Sequence, residues 1–570
     1  MQFIHRHDKA LLLLILITST LLKIIYVFYF TEYTSYLQSD AGAYWERANH
    51  RFLDQPLTMT QWWVWPPFNH IMLSYFFDFV SLTGLADFRH EATLFANILF
   101  STASAGLFYF TARNWGLGKP VAIVLTTLLG FFFPLIYLNA FVLSETPALF
   151  FLSLTLFCIV RKNITLRLIL LGGAAIAIAA AFKPSLGISA LPLGLYVLFK
   201  DANLKVNLFH AAIFSIGFVI AITPVVYENY RISDGEMKGL GAAAGINYFM
   251  KQCRVHKLEY KKPGFYYVFI PAMTVDKPYL GSFTGQQPFH KQEYYFSLGH
   301  QCVSANSNIW QENLLGMTSL FFGPFYPGYY NADGFRLLMP ASRVAMATGL
   351  LLAMTGVFLS FFGNNRRQAF LLLAMILSIS SVYYFLNVDH RHVYSILLPI
   401  LLLAGFSIQQ CCQETVKYRW WVLASMIMIS TSMSFYFYQY QYKRLTEKHS
   451  ALFFEAQNIP DLPAQRSDWN TPGFFKLFEN GITITFKQNQ LTQAHELTLS
   501  LDNNDVYQVT LMNGSDSLQT LQIGPALNGY GMTNYNIQLN DSVREKSADK
   551  LIIRPLSGDR SYSLGGMRII

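Results

Sequence analysis

The stretch ALLLLILITSTLLKIIYVFYF, residues 10–30, decides the class of fold. As a helix it reaches about 30 Å, the thickness of a bilayer's hydrocarbon core. It is longer than a secretory apolar region and no small-residue cleavage site follows it, so it reads as a retained transmembrane helix. Working outward, similar runs recur along a chain of 570 residues that is 53% hydrophobic, 16% aromatic and only 13% charged. The spans read as 10–30, 91–112, 120–138, 142–160, 167–182, 185–199, 207–227, 341–362, 368–386, 392–410 and 418–438. That is a polytopic α-helical membrane protein with about eleven crossings. The apolar region 167–199 is divided into two helices at "KPS", Lys183 to Ser185. The amphipathic stretch Trp65 to Val80 is expected to lie flat at the interface.

The net charge of +9 does not indicate nucleic acid, because the basic residues are scattered among short loops instead of forming one face or tail. Arg113 and Lys119, then Arg161, Lys162 and Arg167, then Lys200 and Lys205, then Arg366 and Arg367, then Lys417 and Arg419 fall in alternate loops. The positive-inside rule makes those loops cytoplasmic, with Arg6 and Lys9 of the N-terminus on the same side and the C-terminus outside. These loops are too short for a nucleotide-sugar domain and carry no Gly-rich phosphate loop.

The membrane domain is thus expected over 1–440, with a first outer loop at 31–90 and a large outer loop at 228–340. Cys253 and Cys302 share the large loop, and a disulfide between them fits an oxidising compartment. Its closed loop would stabilise by on the order of 4 kcal/mol. Two unpaired thiols are the alternative, which a free-thiol count separates. From about Tyr440 the pattern changes to short alternating segments bounded by Gly, Asn and Asp: GITITFKQ, HELTLSLD, VYQVTLMNG, LQTLQIG, NYNIQLN, KLIIRPLSG and YSLGGMRII. Seven strands at this spacing predict a soluble antiparallel β-sandwich over 441–570. Tyr507, Tyr530, Tyr535 and Tyr562 are available for a carbohydrate-binding face, although aromatic residues in strands also serve packing.

Ionisable residues gather at the outer helix ends. Asp40 follows the first span in "LQSDAGAYWERANH", Glu145 opens the helix in "NAFVLSETPALFF", Lys183 lies at the next outer turn, and "NVDHRHVYSILLP" carries Asp389, His390, Arg391 and His392. Each has a simpler reading by itself. Asp40 and Glu145 suit first helical turns, Lys183 can snorkel, and Arg391 can be a solvated loop charge. Their recurrence at one depth is what asks for chemistry. A sugar delivered on a lipid phosphate would present its scissile bond at this level. Lys183 and Arg391 would then neutralise the phosphate leaving group, and Asp40 would take the acceptor's proton. Tyr44 and Trp45 beside Asp40 serve as an interfacial anchor or a sugar-stacking wall.

With these residues in place, residues 1–440 resemble the GT-C superfamily of integral-membrane glycosyltransferases, near the ArnT and protein O-mannosyltransferase group. SDAGAYW (39–45), QWWVWPPFNHIMLSYFF (61–77), LSETPALFF (143–151) and HRHVYSILLPILLLAG (390–405) carry the resemblance by their order and membrane side. It implies an inverting transfer from a polyprenyl-phosphate sugar to a glycolipid, polysaccharide or protein of the envelope, at the outer face of a bacterial inner membrane. Asp40 matches the family's first-loop acid, Glu145 the acid of the second outer loop, and Arg391 with His390 or His392 the basic residue that meets lipid phosphate. Lys183 matches loosely. The family's first loop often holds two acids, whereas Ala41 and Gly42 follow Asp40 here. A divalent cation (Mg, Mn or Zn) between Asp40 and Glu145 is therefore left open. The β-tail is not a general feature of the ArnT group. A transporter or flippase for lipid-linked saccharide and a non-catalytic envelope scaffold are the rival classes. The one-sided charges, with no inverted pair of interrupted helices, favour the enzyme over the transporter.

Overall fold

The computed structural model describes residues 2–53, 66–253, 292–305, 309–314, 338–361, 365–386, 390–411, 425–432, 452–455, 475–502 and 505–570, apart from short breaks inside several of these ranges. Helix α1 (Gln2–Ile25) runs on into a π-helical turn, Tyr26–Phe30. In the first loop, α2 (Ser39–Phe52) and α3 (Pro67–Leu82) pack together. There follow α4 (Arg89–Asn114), α5 (Lys119–Gly130), α6 (Phe133–Leu138), α7 (Glu145–Val160), α8 (Leu166–Phe182), α9 (Ala190–Leu198) and α10 (Leu204–Ile232). The second half holds α11 (Ala244–Cys253), α12 (Gln292–Ala305), α13 (Leu338–Phe361), α14 (Arg366–Phe385) and α15 (Tyr394–Cys411).

The outer surface of this bundle, like its core, is largely apolar. On α1 the exposed positions include Leu13, Leu14, Ile17 and Leu21, while Ser19 is buried and donates to the Gly130 carbonyl at 2.7 Å. On α10, Phe209, Ile216, Val219 and Ile220 face outward. Inside, Asn97 donates to the Phe141 carbonyl at 2.9 Å and Ser407 to the Leu352 carbonyl at 2.6 Å. An apolar exterior, with the few polar side chains turned inward and hydrogen-bonded, is what hydrocarbon surroundings select. Among the described residues four helices are long and apolar enough to cross a membrane: His7–Phe30, Ala86–Asn114, Leu204–Arg231 and Arg366–Phe385. Six of the other expected spans coincide with shorter apolar helices, and 418–438 lies mostly outside the described residues. The structure is thus a helical membrane protein, and eleven crossings is a count that only the sequence supports.

Breaks in the helices have local causes. The expected span 120–138 divides into α5 and α6 because Pro134 has no N–H to give the carbonyl four residues back, that of Gly130. Ser19 of α1 supplies the missing donor. At KPS the chain divides as expected: Lys183 precedes a proline and is extended (φ −138°, ψ 95°), and a 3₁₀ turn, Pro184–Ser189, leads into α9. Close packing relies on small residues. A methyl group on Gly173 of α8 would strike the Phe214 carbonyl of α10, and one on Gly217 of α10 would strike the Leu170 carbonyl of α8, so the two backbones touch.

Part of the large outer loop is helical. α11 and α12 pack through Tyr248, whose hydroxyl lies 3.2 Å from His300 Nδ1, and through the Phe249 and Tyr295 rings. Cys253 and Cys302 sit on these two helices, but their side chains, and with them the expected disulfide, lie outside the described residues.

All seven tail segments form strands: β3 (Ile482–Thr485), β4 (Glu496–Asp502), β5 (Val506–Asn513), β6 (Asp516–Ile523), β7 (Met532–Gln538), β8 (Lys550–Ser557) and β9 (Ser563–Ile569). Two short strands, β1 (Leu452–Glu455) and β2 (Phe475–Lys476), complete two sheets of order β1-β3-β8-β5-β6 and β2-β9-β4-β7. The pairing is antiparallel except for β1, which runs parallel to β3. Ile484, Val509 and Ile553 of one sheet and Leu499, Ile537 and Leu564 of the other share a single core. A short helix, α16 (Asp541–Lys546), joins β7 to β8. Tyr507 and Tyr562 do not form a carbohydrate platform: both are buried in that core with their rings 6.0 Å apart, and Tyr535 packs against it. Tyr530 lies outside the described residues. The alternation of β5 turns Tyr507, Val509 and Leu511 inward together, so Tyr507 follows its strand's apolar face.

Candidate functional site

Glu145 is the first residue of α7 and Lys183 the first beyond α8, so the loop between these helices returns both side chains to one end of the bundle. Lys183 Nζ donates to Glu145 Oε1 at 3.0 Å. The side chains are only 10% and 5% exposed, a setting in which either charge alone would be costly. Ser144 makes no side-chain cap for α7, and the ion pair is the Glu145 contact that ties α7 to α8.

A second set of contacts reaches the same turn from the far half of the chain. Tyr383, buried near the end of α14, has its hydroxyl 2.8 Å from Ser185 Oγ and 3.4 Å from Ser395 Oγ. Its ring stacks on His392 at 4.5 Å and 9°. The KPS turn and the segment before α15 are thereby joined through one tyrosine. His390 and Arg391 belong to the same 3₁₀ turn, His390–Val393, but their side chains lie outside the described residues. Phe182, next to Lys183, meets Phe68 of α3 at 4.8 Å, which brings the first loop against this turn.

Asp40 belongs to a different grouping. It is half-buried in the first turn of α2, and its charge acts on Arg47, seven residues on and therefore on the same face. Burial draws Arg47 down to about 10, with Tyr44, Glu46 and Asp40 opposing the shift. Facing it on α3, His70 is fully buried, and burial together with the Arg47 and Arg51 charges lowers it from 6.5 to about 3. Tyr44 is buried in the membrane-domain core, and Trp45 is wedged between Phe77 (4.8 Å) and His90 (5.0 Å). Both rings act here as packing.

Of the residues expected from sequence, Glu145 and Lys183 come into contact, His392 joins them through Tyr383 and Ser185, and Asp40 sits with Arg47. Arg47, His70, Ser185, Tyr383 and Ser395 were not foreseen. Arg47 had a signal in its spacing from Asp40 and Ser185 in its place after Lys183-Pro184; a tyrosine near the end of an apolar run gave none. A divalent cation between Asp40 and Glu145 does not fit this arrangement, because the Lys183 ammonium already holds Glu145 and would repel a second cation. Among the described residues no three His, Cys, Asp or Glu side chains converge on one point.

Compared with known proteins, the chain matches no protein-family model and no curated protein at a significant level. The functional reading therefore stands on the residues themselves.

Proposed function

We propose that the protein is a membrane glycosyltransferase that moves a sugar from a polyprenyl-phosphate donor to a glycolipid, polysaccharide or protein acceptor at the outer face of a bacterial inner membrane. The observation that carries this reading is the buried Lys183–Glu145 ion pair and, two residues on in the same turn, the contacts of Ser185 with Tyr383 and of Tyr383 with His392. An ammonium, hydroxyls and an imidazole together suit a phosphate oxygen shell, and their place at a helix end suits a headgroup whose tail stays in the bilayer. The order of the four GT-C-like motifs supports the same class.

The chemistry is an inverting displacement. The acceptor hydroxyl attacks the anomeric carbon, the bond from that carbon to the phosphate oxygen breaks, and the lipid phosphate leaves with the electron pair. Asp40 takes the hydroxyl proton, Lys183 and Arg391 neutralise the leaving phosphate, Glu145 orients the acceptor, and Tyr44 and Trp45 shape the wall beside Asp40. Removing a general base costs about a hundredfold or more in rate. The test is mass spectrometry of envelope glycolipids, polysaccharide and glycoproteins from a deletion strain carrying the wild type or Asp40→Asn. One species should lose a sugar mass that only the wild type restores. Full restoration by Asp40→Asn would remove the base assignment. An unchanged covalent inventory would leave the flippase or scaffold reading in its place.

A further inference from the structure

A cation meant for a ligand's phosphate must be neutralised while the ligand is away, and more so in a low-dielectric interior than in water. Glu145 does this for Lys183, at 3.0 Å and almost fully shielded. The contact has the form of a ligand contact: one anionic oxygen on the ammonium, at the distance a phosphate oxygen would take. The hydroxyls of Ser185, Tyr383 and Ser395 nearby hydrogen-bond to one another, each able to turn its proton toward an incoming oxygen.

We propose that Glu145 is an internal stand-in for the donor's phosphate, occupying the Lys183 ammonium until a lipid phosphate displaces it. The exchange forms and breaks no covalent bond. The pair keeps the interior neutral; the donor's phosphodiester, with one negative charge, replaces the carboxylate without changing the charge of the site, and the lipid phosphate released after transfer, a monoester of about −1.5 to −2, is held more strongly than either. Once displaced, the Glu145 carboxylate is free for the acceptor, which ties donor arrival to acceptor orientation. The inference rests on the transferase reading for the identity of the anion. It predicts an affinity effect of a sign that a purely structural ion pair would not give. A site closed by its own carboxylate nine-tenths of the time binds about tenfold more weakly than the open site.

The experiment measures binding of undecaprenyl phosphate to the full chain in lipid nanodiscs, for the wild type, Glu145→Gln, Glu145→Asp and Lys183→Met, each checked for folding by its unfolding temperature. Glu145→Gln should bind about tenfold tighter than the wild type, Glu145→Asp, whose carboxylate is drawn back by one methylene, should fall between them, and Lys183→Met should lose binding. Glu145→Asp carries the test if Glu145→Gln does not fold. Equal or weaker binding by the folded Glu145 variants overturns the inference. So does wild-type affinity in Lys183→Met, or no binding by any of the proteins. Binding that follows the expected order in a strain whose envelope sugars do not change would instead overturn the transferase reading and leave the exchange standing.

Discussion

His70 gives up its hydration on entering the contact between α2 and α3, and Arg47 and Arg51 add positive potential, so the imidazole stays neutral down to about 3. The unfolded chain takes up a proton near 6.5 that the folded chain refuses. The folded state therefore keeps its full stability above 6.5 and loses it as the pH falls toward 3, by at most about 1.4 kcal/mol per pH unit. Acid unfolding of the detergent-solubilised protein should steepen in that window, and His70→Gln, which cannot titrate, should flatten it. An unchanged slope in His70→Gln would assign the effect to other groups. The same scale shows where sequence reading stops. Asp40, Glu145 and Lys183 stand out as charges at the ends of apolar runs. That Glu145 is paired with a lysine 38 positions away, and Ser185 with a tyrosine 198 positions away, depends on how the helices are folded against one another.

At the scale of elements, some helix ends are legible from stops that the chain itself carries. Lys183-Pro184 ended α8 as expected. Pro134 is equally visible, yet 120–138 reads as one apolar run; the break is stable because Ser19, on another helix, satisfies the Gly130 carbonyl. The α8–α10 contact makes a sharp prediction. Gly173→Ala would drive a methyl into the Phe214 carbonyl, and separating the helices should cost about 1–3 kcal/mol, read as a lower unfolding temperature in detergent. Gly194→Ala is the control, because its methyl would sit at an ordinary 3.8 Å from the Phe214 ring. If the two variants melt alike, the backbones are not in contact.

For the whole molecule, the two cores share no residue: one is built from the membrane helices, the other from the two sheets. Leu499→Ala, in the middle of β4, should destabilise the β-domain by about 2–5 kcal/mol and leave the transition of the helical domain in place, as calorimetry would show. A joint shift of both transitions would mean that the domains unfold together. Hydrophobic period alone determined the two-part architecture: long apolar runs must become helices in hydrocarbon, and segments alternating every second residue must become strands with one buried face. It determined seven of the nine described strands and placed the ionisable residues at helix ends. Tertiary structure decided which of them meet. Only packing sends Tyr507 and Tyr562 into the β-core, Tyr44 into the helical core, and Lys183 onto Glu145, because burial and low dielectric are properties of the assembled interior and have no counterpart in residue order.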